Sequence, residues 1–323
     1  VYFYVQKFIV TIFGFGMWQF RLLNLAAGIS IIILFLILAR KLNLSKLNIS
    51  FLSVLIAFDS RFMFNMTSGR MDLFSLILFI CGWLLFQDSY KRKYSSIIIA
   101  GIFSSLSFLS TPRIGFYFLV YILTFVIDFF SSNTRKKTII QYFVFGFTIF
   151  LPVLFWLYSS YGGIANYINH IFNNSSIAYH YGGLSFKIKY QIPIIFIWFL
   201  SGLYVFKSKR NIRNPLIVGL YTLPLFHLLL IKEVGPYSAM MMPFIYLGIL
   251  IPINNIPLKK LFLLPGAIAI FLLLFSLSST FNNIASIEFT NPRSFEEFFR
   301  SLDIKKANVL ADFPYYYIIT KSD

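Results

Sequence analysis

Long, uninterrupted runs of apolar residues recur along this chain of 323 residues, and they restrict its fold more than any other feature. The runs approach the ~20 residues that a helix needs to cross the hydrocarbon core of a bilayer. Charged residues make up only 12% of the chain, whereas soluble domains carry roughly 25%. In water, such a chain would expose large apolar patches. The sequence therefore predicts an all-α polytopic membrane protein.

About ten membrane spans are predicted from these runs. They lie at 21–39, 48–66, 72–88, 95–111, 114–131, 138–158, 190–206, 214–231, 237–253 and 261–279. The shorter amphipathic segment 1–17 is typical of an interfacial helix in the headgroup region. We interpret residues 1–280 as a transmembrane domain. Residues 281–323 turn polar, and FEEFFRSL (295–302) and ANVLAD (307–312) predict a helix and a strand, the start of a small extracytoplasmic α/β segment.

Positive charge is unevenly divided between alternate loops. Fifteen basic residues fall in one set: Arg40, Lys41, Lys46, Lys91, Arg92, Lys93, Arg135, Lys136, Lys137, Lys207, Lys209, Arg210, Arg213, Lys259 and Lys260. Only five fall in the other set: Arg70, Arg113, Lys187, Lys189 and Lys232. The positive-inside rule places the first set in the cytoplasm and the second outside. The net charge of +17 thus reflects topology, and no nucleic acid partner is expected.

Three acidic residues map to the outer half of the predicted bundle, namely Asp59, Asp72 and Glu233. An ionisable group at membrane depth is costly unless it is paired or faces a cavity, so each is a candidate functional residue. Each also has a basic neighbour in the sequence. Structural ion pairs at the interface are therefore the alternative interpretation.

Basic residues on the same side form a second candidate set, Arg70, Arg113 and Lys232. Arg113 lies in a break between apolar runs, after Thr111 and Pro112. Arginine binds phosphate through two parallel hydrogen bonds, and lysine acts as a point charge. Together they predict a binding site for a lipid phosphate, with simple snorkelling toward the headgroups as the alternative.

The three histidines give weaker indications of function. His227 lies in an apolar span and is expected to be a packed, hydrogen-bonded core residue. His170 and His180 share a long outside loop, but their spacing is not that of a metal motif.

Four segments, taken in order, carry a family resemblance. They are FGFGMWQFRLLNLAAGISIIILFLILARK (13–41), NMTSGRMDLFSLILF (65–79), GIFSSLSFLSTPRIGF (101–116) and YSAMMMPFIYL (237–247). Their order and spacing resemble the GT-C membrane glycosyltransferases, including the dolichyl-phosphate-mannose-protein mannosyltransferase-like proteins and the lipid A aminoarabinose transferases. Arg113 departs from the family pattern, in which the basic residue precedes the proline.

The resemblance implies an enzyme that passes a sugar from a polyprenyl-phosphate donor to a glycan, lipid or protein acceptor, with inversion at the anomeric carbon. Asp72 matches the family's second acid, and we expect it to contact the acceptor or a metal. The leading family acid precedes the interfacial helix and is expected upstream of Val1, together with a first span and first outside loop. Asp59 and Glu233 are further catalytic candidates. Arg70, Arg113 and Lys232 are predicted to bind the donor phosphate.

Four side chains, Tyr161, Tyr181, Tyr237 and His180, are predicted to line the substrate path. No cofactor is predicted with certainty, although a divalent metal is compatible with the carboxylates. The expected location is a bacterial or archaeal cytoplasmic membrane, with the active face extracytoplasmic. Two alternatives remain at this stage: a transporter or flippase of lipid-linked sugars, and an O-antigen ligase or polymerase-like enzyme.

Overall fold

A computed structural model describes residues 1–14, 17–67, 70–87, 93–131, 134–169, 192–230, 234–254 and 274. Within these ranges the regular structure is helical. The helices are α1 (Tyr2–Phe13), α2 (Met17–Lys41), α3 (Lys46–Ala57), α4 (Ser60–Thr67), α5 (Asp72–Gln87), α6 (Tyr94–Ser110), a 3-10 helix (Pro112–Phe118), α7 (Leu119–Ser131), α8 (Arg135–Tyr161), α9 (Ile192–Val205), α10 (Lys209–Ile212), α11 (Pro215–Leu230) and α12 (Val234–Asn254).

Three helical segments of the described chain are long and apolar enough to cross a membrane: Arg21–Lys41, Pro112–Ser131 and Arg135–Tyr161. The bent pair of α3 and α4 supplies a fourth if it is counted as one span. Other apolar helices, such as α5, α6, α9 and α11, are shorter. The all-α membrane protein is therefore confirmed, while the number of ten spans stays a prediction. The predicted span 261–279 and the α/β segment 281–323 lie outside the described residues, apart from Leu274.

The predicted span 48–66 consists of two helices with a bend between them. α3 and α4 meet at an angle of 59°, with Asp59 in the break between them. The carboxylate Oδ1 of Asp59 accepts hydrogen bonds from the backbone N–H groups of Arg61 (3.1 Å) and Phe62 (2.8 Å). Aspartate caps helices in this way because the first N–H groups of a helix have no partner within it. The bend was not predicted, and it occurs where Asp59 caps a new helix.

Buried apolar side chains of α2, α5 and α12 form the centre of the bundle. Phe35, Trp83 and Phe244 are each fully buried, and the rings of Phe35 and Phe244 meet edge to face at 4.9 Å between centroids. Other large apolar side chains point outward, including Phe143 and Phe155, which are 72% and 75% exposed. A surface of this kind suits lipid, since lipid tails are as apolar as the side chains.

Contacts between distant parts of the chain sort the loops onto two ends of the bundle. At one end, the side chain of Asn254 accepts from Ser45 N (2.7 Å) and donates to the carbonyl of Asn43 (3.1 Å). At the other end, the Val1 amino group donates to the carbonyl of Leu109 (3.4 Å). The second end also holds the first turn of α5, and we call it the Asp72 end. This grouping agrees with the alternation of loops in the charge pattern.

The first helix packs one side onto the Asp72 end. Tyr2 and Gln6 of α1 are buried, whereas Phe3 and Tyr4 are 68% and 82% exposed. The Tyr2 ring contacts Phe74 of α5 with 5.9 Å between centroids. The predicted amphipathic helix is thus present, and its buried face reaches the residues around Asp72.

Candidate functional site

Asp72 is the first residue of α5 and is almost completely buried, with 1% of its surface exposed. Its position in the first turn is favourable for a negative charge, because the N-terminus of a helix carries a partial positive charge. The guanidinium Nε of Arg70 donates to Asp72 Oδ2 at 2.8 Å, and the Arg70 side chain is 31% exposed. A buried carboxylate is therefore neutralised by a guanidinium that still reaches the surface.

The second oxygen of this carboxylate is the unusual feature of the site. Asp72 Oδ1 is buried and has no hydrogen-bond partner among the described residues. Buried polar atoms are nearly always hydrogen bonded, and the exceptions call for a functional or solvent explanation. A buried carboxylate oxygen without a partner is suited to accept a hydrogen bond from a bound hydroxyl group.

Two tyrosines from other elements of the fold interact electrostatically with Asp72. They are Tyr2 of α1 and Tyr117 of the 3-10 helix. The Tyr117 hydroxyl is joined to His227 Nδ1 of α11 at 2.9 Å, and both side chains are fully buried. The prediction that His227 is a packed, hydrogen-bonded residue is confirmed. Its hydrogen bond to Tyr117 was not predicted.

Two serines hold α5 against α6 just below Asp72. Ser75 Oγ donates to the carbonyl of Ser107 (2.8 Å), and Ser107 Oγ donates to the carbonyl of Ser75 (2.7 Å). This reciprocal pair satisfies both hydroxyls and lets the two backbones approach closely. Since α6 leads directly into Pro112 and the 3-10 helix, the pair fixes Asp72 relative to Tyr117.

Both carboxylate oxygens of Asp59 accept hydrogen bonds that stabilise the fold. Besides capping α4 with Oδ1, it accepts a hydrogen bond at Oδ2 from the hydroxyl of Tyr246 at 2.7 Å. Asp59 is 6% exposed and Tyr246 1% exposed. These bonds link the break between α3 and α4 to α12. A direct catalytic role for Asp59 remains a prediction, but the structure already gives this carboxylate a structural task.

The predicted phosphate-binding residues are placed in part. Arg113 is exposed at the start of the 3-10 helix, four residues before Tyr117 on the same short helix. Arg70 is paired with Asp72 as described above. Lys232 and Glu233 lie outside the described residues.

The predicted substrate-lining residues are likewise placed only in part. Tyr161 ends α8 and meets the rings of Trp156 and Tyr167 edge to face, with centroids 5.3 and 5.0 Å apart. The backbone of Tyr237 is helical, but its side chain lies outside the description, as do His180 and Tyr181 entirely. A role in lining the substrate path stays a prediction for all four.

The metal question is equally limited to the described residues. There, no three histidine, cysteine, aspartate or glutamate side chains lie together. A metal contact of Asp72 therefore stays a prediction.

Sequence reasoning identified Asp72 and Arg70 but missed Tyr2 and Tyr117, which interact electrostatically with Asp72, and His227, which is hydrogen bonded to Tyr117. Tyr2, Tyr117 and His227 come from three separate elements, and Tyr117 and His227 are 110 residues apart. One feature of the sequence points to Tyr117. It lies in the aromatic run after Pro112, where the apolar run of α6 ends.

The fold and this buried acid define a membrane protein with an acid–arginine site at one end of a helical bundle. Residues 1–156 match the family model of the dolichyl-phosphate-mannose-protein mannosyltransferases. The matched part contains Asp72, Arg70, Arg113 and Tyr117, and it confirms the predicted resemblance to the GT-C mannosyltransferase-like family. The match supports a membrane glycosyltransferase of the GT-C type. No curated protein and no solved structure matches the chain.

Proposed function

We propose that this protein transfers a sugar from a polyprenyl-phosphate donor to a glycan, lipid or protein acceptor at the extracytoplasmic face of the membrane. The observation that carries the proposal is the buried Asp72 carboxylate, which is paired with Arg70 through Oδ2 and unpaired at Oδ1. It lies within the part of the chain that matches the family model.

The chemistry asks two things of such a site. A carboxylate must orient or deprotonate the acceptor hydroxyl, which contributes about 10²–10⁴-fold to the rate. Cationic groups must stabilise the lipid phosphate as it leaves the anomeric carbon. We assign the first role to Asp72. Arg113, which is exposed near Tyr117, and Lys232 are assigned to the phosphate.

The extracytoplasmic placement rests on charge. Asn254 contacts Ser45, which lies in the loop that carries Arg40, Lys41 and Lys46 on the predicted cytoplasmic side. Asp72 lies at the opposite end. By the positive-inside rule, the Asp72 end then faces away from the cytoplasm.

The donor class is tested with the full-length protein. It is expressed in a strain whose own copy of the gene has been deleted, and membranes of that strain are assayed. Radiolabelled polyprenyl-phosphate mannose, glucose and arabinose are offered in turn, with the matching nucleotide sugars as alternatives. We expect label to reach an acceptor from one polyprenyl-phosphate sugar. Transfer from nucleotide sugars only, with lipid-linked donor synthesis blocked, would refute the donor class.

Arg113→Ala then tests the phosphate assignment. Loss of one charge-assisted contact to phosphate is expected to raise the KM for the lipid donor by about 10-fold, with a smaller effect on kcat. Lys136→Ala is the matched control, because Lys136 is exposed at the start of α8, on the predicted cytoplasmic side. An unchanged KM in Arg113→Ala removes Arg113 from the donor site.

A further inference from the structure

Three aromatic side chains gather where α8 ends. Trp156 lies near the end of α8, Tyr161 is its last residue, and Tyr167 follows in the helical turn 164–169. The ring centroids are 5.3 Å apart for Trp156 and Tyr161, 5.6 Å for Trp156 and Tyr167, and 5.0 Å for Tyr161 and Tyr167. Each pair meets edge to face, an arrangement that aromatic rings prefer. We call these three residues the aromatic cluster.

Two glycines let the chain build this cluster. Gly162 and Gly163 have φ angles of 71° and 136°, which residues with a Cβ atom rarely adopt. The chain leaves α8 at this point and turns so that Tyr167 reaches the ring of Trp156. The side-chain nitrogen of Asn166 donates to the carbonyl of Tyr161 at 2.9 Å and holds the turn against the end of α8. The cluster is therefore a defined structure, whereas the aromatic residues of a membrane interface are spread around a bundle.

Contacts through α6 place the cluster at the Asp72 end of the bundle. The ring of Phe108 on α6 meets Trp156 edge to face, with 6.5 Å between centroids. Phe108 also contacts Phe118 of the 3-10 helix at 6.2 Å, and the same short helix carries Arg113. Helix α6 packs against both α5 and α8. The cluster thus lies on the same side of the membrane as the candidate acid but is separated from it by α6.

The chemistry of the cluster suits a sugar ring. One side of a sugar ring is a patch of C–H groups, which packs on the electron-rich face of an aromatic ring. An edge-to-face contact uses one face of one ring, so other ring faces of the cluster remain uncovered, and all three side chains are only half-buried. Tyr161 and Tyr167 also carry hydroxyl groups, which can hydrogen bond to those of a sugar. Aromatic walls with a few polar groups are typical of small-molecule sites.

We propose that the aromatic cluster binds a sugar unit of the acceptor, so that the acceptor carries a glycan. The sugar of the donor must reach Asp72, and α6 stands between Asp72 and the cluster. The cluster therefore fits a non-reacting sugar of a longer acceptor, whose binding energy supports the reaction from a distance. This inference rests on the proposed function, since it names the acceptor class of that enzyme. Tyr161 and Tyr167 lie beyond the residues 1–156 that match the family model.

The first test replaces Trp156 by leucine in the full-length protein, with Tyr158→Leu as the matched control. Tyr158 lies at the same end of α8 and is 60% exposed, but it is not part of the cluster. Purified protein receives the polyprenyl-phosphate sugar that the wild type uses and a detergent extract of the deletion strain as the acceptor, and both are titrated. We expect Trp156→Leu to need about 5- to 10-fold more extract for half-maximal transfer, the size of a lost aromatic contact. The KM for the donor should stay within about 3-fold, and Tyr158→Leu should resemble the wild type.

Two further variants separate binding from folding. Trp156→Tyr keeps an aromatic face and should recover most of the affinity for the acceptor. Tyr167→Leu changes a half-buried residue of the turn after α8 and should weaken acceptor binding in the same direction as Trp156→Leu. Thermal unfolding in detergent is measured on each variant. If Trp156→Leu does not fold, Tyr167→Leu carries the comparison with Tyr158→Leu.

The second test asks whether the acceptor carries a glycan. Periodate cleaves the bond between neighbouring carbons that both carry hydroxyl groups, and it thereby opens sugar rings. We expect an extract treated with periodate, and then freed of the reagent, to lose its acceptor activity with the wild-type protein. An extract treated with periodate that has first been reduced to iodate is the control and should keep its activity.

Three outcomes overturn the inference. Equal acceptor titrations for Trp156→Leu and Tyr158→Leu show that the cluster only belongs to an interfacial aromatic belt. A rise in the KM for the donor alone shows that the cluster binds the donor. Full acceptor activity after periodate shows that the acceptor carries no glycan. A folded wild type that transfers no lipid-linked sugar refutes the proposed function instead.

Discussion

Replacing Asp72 by asparagine removes one negative charge with almost no change in volume. The side chain is 1% exposed, so the new amide cannot recover solvation by turning into water. Its oxygen can still accept from Arg70 Nε in place of Oδ2, but the position of Oδ1 then becomes an N–H group that cannot accept a proton. If Asp72 orients or deprotonates the acceptor hydroxyl, kcat/KM should fall by about 10²–10⁴-fold.

The stability cost of this change follows from the exposure of the two partners. Breaking a fully buried ion pair costs about 3–5 kcal/mol, mostly because a buried charge is left alone. Here the remaining charge belongs to Arg70, which is 31% exposed and keeps contact with water. We therefore expect a loss of only about 1–2 kcal/mol in the free energy of unfolding. Activity should thus be lost while the variant still folds.

The assay is transfer of radiolabelled sugar from the polyprenyl-phosphate donor by the full-length protein, with thermal unfolding in detergent measured on the same preparation. Asp128→Asn is the matched control, because Asp128 lies near the C-terminal end of α7, on the predicted cytoplasmic side, and accepts a hydrogen bond from the Tyr142 hydroxyl at 2.9 Å. We expect this control to retain activity within about 3-fold. Wild-type transfer by folded Asp72→Asn would refute the role of Asp72. An equal loss in both variants would refute it as well, because the effect would not be specific to the Asp72 end.

Two further predictions concern the frame that holds the site. Tyr246→Phe removes the hydrogen bond to Asp59 Oδ2. Thermal unfolding in detergent should show a loss of about 1–3 kcal/mol, because a buried acceptor is left without its partner. No change would mean that Tyr246 does not support the break between α3 and α4. Gly219→Ala would place a methyl group against the ring of Trp83, and overpacking of this kind costs about 1–3 kcal/mol. Gly146→Ala, where nothing lies within 4 Å of the added methyl, should instead be neutral or stabilising by up to about 1 kcal/mol, and equal effects in the two alanine variants would contradict the close packing at Gly219.

The helices themselves were largely predictable, because an apolar run must be helical in a membrane. The predicted spans 95–111 and 214–231 differ by one residue at each end from α6 and α11. The break at Asp59 was not predicted. The mean hydropathy of residues 48–66 is high enough to predict one span. A mean over the whole segment does not reveal that one residue within it, Asp59, caps a new helix.

The site was predictable only where its residues are neighbours in the sequence. Asp72 and Arg70 are two residues apart, and their ion pair was the alternative interpretation of the sequence. The partners of Asp59 and Tyr117 are 187 and 110 residues away. Such contacts depend on how helices pack, which hydropathy does not encode. The sequence pattern therefore indicated Asp72 and Arg70 but not the contacts of Asp59 and Tyr117 with distant helices.

The most direct measurement of the central claim is sugar transfer in sealed membrane vesicles of opposite orientation that contain the full-length protein. A short-chain, water-soluble form of the polyprenyl-phosphate sugar is added from outside, so that only the exposed face of each vesicle meets it. The proposal predicts transfer of label in right-side-out vesicles and little in inside-out vesicles, with Asp72→Asn abolishing it. Transfer confined to inside-out vesicles, or passage of the donor across the membrane without transfer, would contradict an extracytoplasmic glycosyltransferase.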